Sequence, residues 1–208
     1  MSVRARHGSL RVVRRLVVSV LTSLDGRYVG AGGDLSRMPF EDAFDDHNLA
    51  LLQRAGTLVY GGRWFPDNWS HWSAVAADPS AGGRDRAIAE RVTSLDNLVV
   101  SDSLAVDDGA PWAPRTRVVR RDDGPAAVAR LKEGEGGDLL MFGSATTWNP
   151  LLAQGLVDEL VVLVGAGVVG EGASLYAGPP AGLRLLDAEV LPGSQLVRLR
   201  YDATGTAR

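Results

Sequence analysis

Short apolar runs rich in valine and leucine alternate along this chain with longer stretches whose apolar residues recur every three or four positions. That alternation predicts strands interleaved with helices. Residues 15–21 predict a first strand, and the turn-forming residues of 22–33 predict a loop after it. A helix is expected over 40–55, then a short strand over 57–60 that ends at a pair of glycines. From 63 to 72 the aromatic residues are spaced as on one helical face, and 78–83 reads as loop. A helix over 84–93, a buried strand over 97–101, a connection with two prolines over 102–114 and a strand over 116–120 follow. A helix over 125–132 completes this part.

The stretch 138–176 is the most informative. DLLMF, GSATTWNPLLAQG, LVDELVVLV and GAGVVGEGASLY follow one another without a gap, as a buried strand, a glycine-started helix, a second strand and a glycine-rich turn. Beyond it, 182–190 and 195–202 flank the turn 191–194 and read as an antiparallel hairpin. Helices between successive strands predict a single α/β domain with a mostly parallel sheet, covered on both faces and closed by an antiparallel edge. Residues 1–14 are locally basic and are expected to form a flexible or loosely docked arm. The apolar run after them is short, meets Asp25 and Gly26 at once, and lacks the small-residue cleavage site of a signal peptide.

Composition narrows the function classes. At 208 residues the chain suits one domain of ordinary size with a core of its own. The absence of cysteine excludes thiolate catalysis, Fe–S clusters and cysteine-bound zinc, and it fits a reducing, cytoplasmic setting. A net charge of -3 with both signs interspersed gives no basic field, so nucleic acid is not an expected partner. No stretch approaches the apolar length of a membrane helix. His7, His47 and His71 show no ligand spacing, and no metal is expected.

The chemistry suggested is the holding of an anionic ligand. A strand, a tight turn and a helix start, as at 138–153, expose amides that lack acceptors and carry partial positive charge. Gly165, Gly167 and Gly170 spell GxGxxG, but Gly172, Gly178, Pro179 and Pro180 forbid the long helix a dinucleotide fingerprint needs. They are read instead as a loop passing close to a ligand or a neighbouring strand. Asp25, at the carboxyl end of the first strand, is a candidate to orient substrate or handle a proton. It reads equally as half of an Asp-Gly turn. Trp64, Trp69 and Trp72 lie close together and suit either stacking on a heterocycle or core packing.

Five motifs in order carry a resemblance. TSLDG at 22–26, GGR at 61–63, VVSDSL at 99–104, FGSATTWNPLLAQGLVDEL at 142–160 and GVVGEGASLY at 167–176 resemble the dihydrofolate-reductase-like superfamily. Within it the chain is similar to the reductase domain of bacterial riboflavin biosynthesis, over about 15–201. The resemblance implies an NADPH-dependent reductase, with NADH also open, that passes a hydride to a small pterin- or pyrimidine-like heterocycle. It places Gly62 and Arg63 near the adenosine phosphates, Ser101 and Ser103 by the adenosine ribose, and Gly143, Ser144, Ala145 and Thr146 under the pyrophosphate. Asp25 becomes the catalytic candidate, with Thr22, Ser23 and Trp64 as substrate contacts. Four positions depart from the pattern: Phe142 stands where an acid is common, Ser144 replaces a second glycine, Trp64 replaces a threonine, and Asp102 sets an acid beside the ribose serines. On the same scaffold a non-catalytic nucleotide- or pterin-binding protein is the alternative, and a packing module a third. A homodimer is expected, because the hairpin and LVVLVGAGVV offer apolar edge surface.

Overall fold

The computed structural model describes residues 13–205. Eight strands form one sheet: β1 (Leu16–Thr22), β2 (Ala55–Gly61), β3 (Asp96–Val100), β4 (Thr116–Val119), β5 (Asp138–Phe142), β6 (Glu159–Val164), β7 (Arg184–Val190) and β8 (Val197–Asp202). Their spatial order is β4-β3-β2-β5-β1-β6-β8-β7, parallel from β4 to β6 and antiparallel through β8 and β7. Five helices connect them: α1 (Asp42–Arg54), α2 (Phe65–Ala77), α3 (Gly83–Ser94), α4 (Gly124–Lys132) and α5 (Ala145–Ala153). The expected α/β architecture is the one observed, with most element bounds within two residues of those read from periodicity.

Alternation along the strands sorts the core into two layers, because successive strand residues face opposite ways. Leu16, Val18 and Val20 of β1, with Leu139 and Met141 of β5, pack against α4 and α5 through Ala127, Val128, Trp148 and Leu151. Val17 and Leu140 point to the other face and meet α1, α2 and α3 through Leu52, Phe65, Ile88 and Val92. Since both faces are covered, β5 and β6 read as continuous apolar runs rather than alternating ones.

The two rims of the sheet differ in chemistry. At the amino ends of the strands, Arg15 bonds Asp138 at 2.9 Å and Glu159 at 3.1 Å, and Arg200 bonds the buried Glu159 at 2.7 Å. These pairs answer the buried Glu159 carboxylate from two sides. The carboxyl ends carry glycines, serines and the two cavities described below.

The expected arm falls outside the described residues except for its last two. Val13 is exposed, whereas Arg14 is buried, donating to the Gly137 carbonyl and the Thr57 hydroxyl, both at 2.7 Å. One expectation about surface needs correction. The LVVLV run is β6, which is buried between β1 and β8 and is no edge; only β7 is outermost on that side, and it exposes Leu185, Leu186 and Val190. The GxGxxG segment leads into no helix, and from Val164 to Arg184 the chain forms only an isolated bridge, Ser174 with Arg27. A Cβ at Gly172 would fall on the Val29 carbonyl and one at Gly165 on the Pro39 ring, whereas at Gly167 and Gly170 it would meet no overlap, so close approach is required at two positions of the segment rather than at every glycine in it. Among the described residues no helix is long and apolar enough to cross a membrane.

Candidate functional site

The carboxyl ends of β2, β3 and β5 bring most of the expected nucleotide residues together. Gly62 follows β2 and packs on Ser101 at the end of β3, so closely that a Cβ on Gly62 would overlap the Ser101 hydroxyl. That hydroxyl accepts the amides of Ser103 at 3.3 Å and Leu104 at 3.0 Å, fixing the turn after β3. Ser103 itself is exposed, as is Arg63, whose guanidinium lies 5.4 Å from the centre of the Trp64 ring.

Between β5 and α5 the chain turns through two left-handed residues, Gly143 at φ 58° and Ser144 at φ 54°. Ser144 holds the N-cap position yet makes no capping bond from its side chain; its hydroxyl instead accepts the Gly61 amide at a long 3.4 Å. Its carbonyl accepts the amides of Thr147 and Trp148. Ala145 and Thr146, at the start of α5, have no preceding turn to supply acceptors for their amides.

This turn borders two cavities. The first encloses about 490 Å³ and is lined by Gly143, Ser144 and Ala145, by Trp64 and Trp72, and by residues of β1 and α1. The second, about 720 Å³, lies between α4 and α5, with Thr146, Thr147 and Pro150 on one side and Arg121, Gly124 and Pro125 on the other. Arg121 also pairs with Asp102: its amide donates to that carboxylate at 3.1 Å and its guanidinium lies at 3.5 Å. The acid set beside the ribose serines is thus partnered by a cation that lines the second cavity.

Asp25, Thr22 and Ser23 stand elsewhere, for none of them lines either cavity. The Thr22 hydroxyl donates to the Arg27 carbonyl at 3.1 Å, and the Ser23 hydroxyl donates to Asp25 at 2.7 Å while accepting the Arg27 amide. Asp25 accepts the amides of Val169 at 2.9 Å and Gly170 at 2.8 Å. The Ser23 hydroxyl and those two amides hold its carboxyl down to about 2. These three residues build the loop after β1 and fasten it to the glycine-rich segment. Of the expected substrate contacts, Trp64 does line the first cavity, with 47% of its surface exposed.

Among the polar residues of the first cavity, Asp45 and Asn48 on α1 and Asp67 and Asn68 on α2 escaped the sequence reading, and His71 on α2 entered it only as a histidine without metal-ligand spacing. Burial pushes the Asp45 carboxyl up, and the nearby Arg84 guanidinium opposes the shift. The Asn48 Oδ1 is buried without a hydrogen-bond partner. Asp45, Asn48 and Leu52 share one face of α1 at spacings of three and four, so polar residues on an otherwise apolar stripe are the signal that would have found them. Among the described residues no group of His, Asp and Glu is placed to hold a metal ion.

The sequence profile of the RibD C-terminal domain matches residues 14–197. A curated relative, the protein YyaP of Bacillus subtilis, is 26% identical over 166 residues, covering 78% of this chain and 80% of its own. Among solved structures, the diaminohydroxyphosphoribosylaminopyrimidine deaminase/5-amino-6-(5-phosphoribosylamino)uracil reductase of Thermotoga maritima superposes with a TM-score of 0.62 at 11% identity. That match spans 91% of this chain and 56% of the other. A dihydrofolate reductase of Enterococcus faecalis complexed with NADP(H) superposes at 0.54 with 9% identity, over 90% of this chain and 95% of its own.

Proposed function

Because this chain belongs to the RibD C-terminal domain family, we propose that it is a reductase that binds a nicotinamide dinucleotide along the carboxyl rim of its sheet and reduces a small heterocycle in the first cavity. The observation that carries this is the first turn of α5, standing between the two cavities with Gly143 to Ala145 on one side and Thr146 and Thr147 on the other. A dinucleotide has two rings joined by an anionic bridge, and unpartnered helix-start amides flanked by two hollows match that division of charge.

Each residue then has a task. Gly143, Ser144 and Ala145 are small enough to let a bridge lie against the backbone. The amides of Ala145 and Thr146 and the Thr146 hydroxyl donate to phosphate oxygens. Gly62, Arg63, Ser101 and Ser103 border the adenosine end, where Arg121 supplies the guanidinium that offsets Asp102 and favours NADPH over NADH. When bound, the dihydronicotinamide supplies the hydride. Asp45, inside the first cavity with its carboxyl pushed up, is better placed than Asp25 to orient the accepting ring and deliver a proton. Asp25, with both oxygens accepting and its carboxyl held near 2, serves as the fastener of the loop. Self-association belongs to the same proposal, a second copy covering the apolar residues exposed on β7.

Titration with NADPH and NADH, followed by quenching of tryptophan fluorescence, tests the reading. Saturable binding is expected, tighter for NADPH, and weakened by at least about tenfold in Thr146→Asp, a substitution that adds a negative charge where the bridge would lie yet suits a helix start. Failure of both nucleotides to bind sinks it.

A further inference from the structure

The helix that starts at the proposed anion-binding turn is weakened from within. Pro150 is the sixth of the nine residues of α5. It has no N–H to donate to the Thr146 carbonyl four residues back, and its ring crowds that carbonyl. One of the few bonds that would tie the first turn to the rest of so short a helix is therefore absent.

What holds that turn comes from outside the helix. Asn149 lines neither cavity and is only 8% exposed. Its side-chain amide closes two bonds on the glycine-rich segment: Nδ2 donates to the Leu175 carbonyl at 3.3 Å, and Oδ1 accepts the Ala177 amide at 2.7 Å. Beside it the Trp148 indole stacks on the Tyr176 ring, with 5.9 Å between centres and 25° between planes. The segment gripped in this way is itself tied to the loop after β1. The Leu175 amide donates to the Gly26 carbonyl at 2.9 Å, and the Tyr28 amide donates to the Ala173 carbonyl at 3.2 Å. Tyr28, Ala145, Trp148 and Leu175 all line the first cavity. Asparagine is a poor former of helix interiors, and an apolar side chain in its place would strip two backbone groups of these partners.

We infer that Asn149 is a positioning residue, which holds the first turn of α5 in the geometry that receives the dinucleotide bridge and does so through residues 175–177, where Pro150 denies the helix a bond of its own. This role rests on the reductase reading above and adds to it a residue that touches no ligand.

The NADPH affinity of Asn149→Ala, followed by quenching of tryptophan fluorescence well below the unfolding midpoint, tests it. A loss of at least about tenfold is expected. Leu152→Ala truncates a core side chain at the end of the same helix. It should lower the unfolding midpoint while leaving NADPH affinity within about twofold, which separates positioning from stability. Pro150→Ala gives the helix back an N–H for Thr146, so in that background the Asn149→Ala loss should shrink by at least about threefold. In the unsubstituted protein, saturating NADPH should slow hydrogen exchange at the Ala177 amide by at least about tenfold, because a ligand that needs the clamp closed favours its closure. That measurement decides the matter even where a substituted chain fails to fold. Unchanged affinity in Asn149→Ala, an equal loss in Leu152→Ala, a loss that Pro150→Ala leaves untouched, or unaltered exchange at Ala177 overturns the inference and leaves the reductase reading standing. An unsubstituted protein that binds neither NADPH nor NADH brings down both.

Discussion

The Asp25 carboxylate accepts the backbone amide of Gly170 at 2.8 Å, across 145 residues of sequence. Two further bonds, from the Val169 amide and the Ser23 hydroxyl, complete its shell, so one side chain joins the loop after β1 to the segment after β6. Asp25→Asn puts an amide NH₂ against one of those N–H groups. Hydrogen exchange at Val169 and Gly170 is expected to accelerate in this variant, while the first cavity keeps its affinity for ring ligands within about twofold. The folded carboxyl titrates near 2 against an ordinary 3.8. The stabilisation is therefore complete above pH 3.8 and fades as pH falls through about 2, which carboxyl NMR titration would follow.

Gly62 and Ser101 are matched in size. Gly62→Ala would place a methyl group on the Ser101 side chain and is expected to cost about 1–3 kcal/mol. Ser101→Gly should recover part of that loss when combined with it. The coupling, measured as a double-mutant cycle of chemical denaturation midpoints, would vanish if the two residues did not touch.

Among the described residues Ser144 is the non-glycine with positive φ. Ser144→Val, with a branch at Cβ, is expected to lower stability by about 1–3 kcal/mol, whereas Ser144→Gly should change it by less than about 1 kcal/mol. Thermal unfolding of the two variants checks this, and equal losses would refute the strain at this turn.

His47 is buried 3.4 Å from the Ser19 hydroxyl, and its imidazole is pushed down to about 4, first by burial and then by Arg198 and Arg200, with Glu159 opposing. The unfolded chain takes up this proton near 6.5 and the folded one only near 4, so stability falls as pH drops through that interval. The loss approaches about 3 kcal/mol at its lower end. His47→Gln should flatten the denaturation free energy between pH 6.5 and 4; an unchanged slope would show that the ring is not the sensor.

The strands were legible because runs such as LVVSVLT and ELVVLV are apolar on both faces, and a sheet covered on both sides allows little else. The helix-start turn at Gly143 and Ser144 was equally plain, since its chemistry is local. The first cavity was not. Asp45 sits between Asp42 and Asp46 in a run of acids that looks like an ordinary wet helix face, and only the packing of α1 against α3 places it at the cavity wall. Asp25 stayed open between two readings for the opposite reason, because its local context fits a catalytic position or an Asp-Gly turn while its partners lie far along the chain at Val169 and Gly170.

The turn that begins α5 is a shared partition, and a partition couples whatever it divides. A ligand that displaces Ser144 or Ala145 from one side shifts Thr146 and Thr147 on the other, because all four belong to one stretch of helix start. Any factor by which a guest in one hollow alters the affinity for a guest in the other must operate equally in reverse. Selection acting on either guest at this turn acts on both.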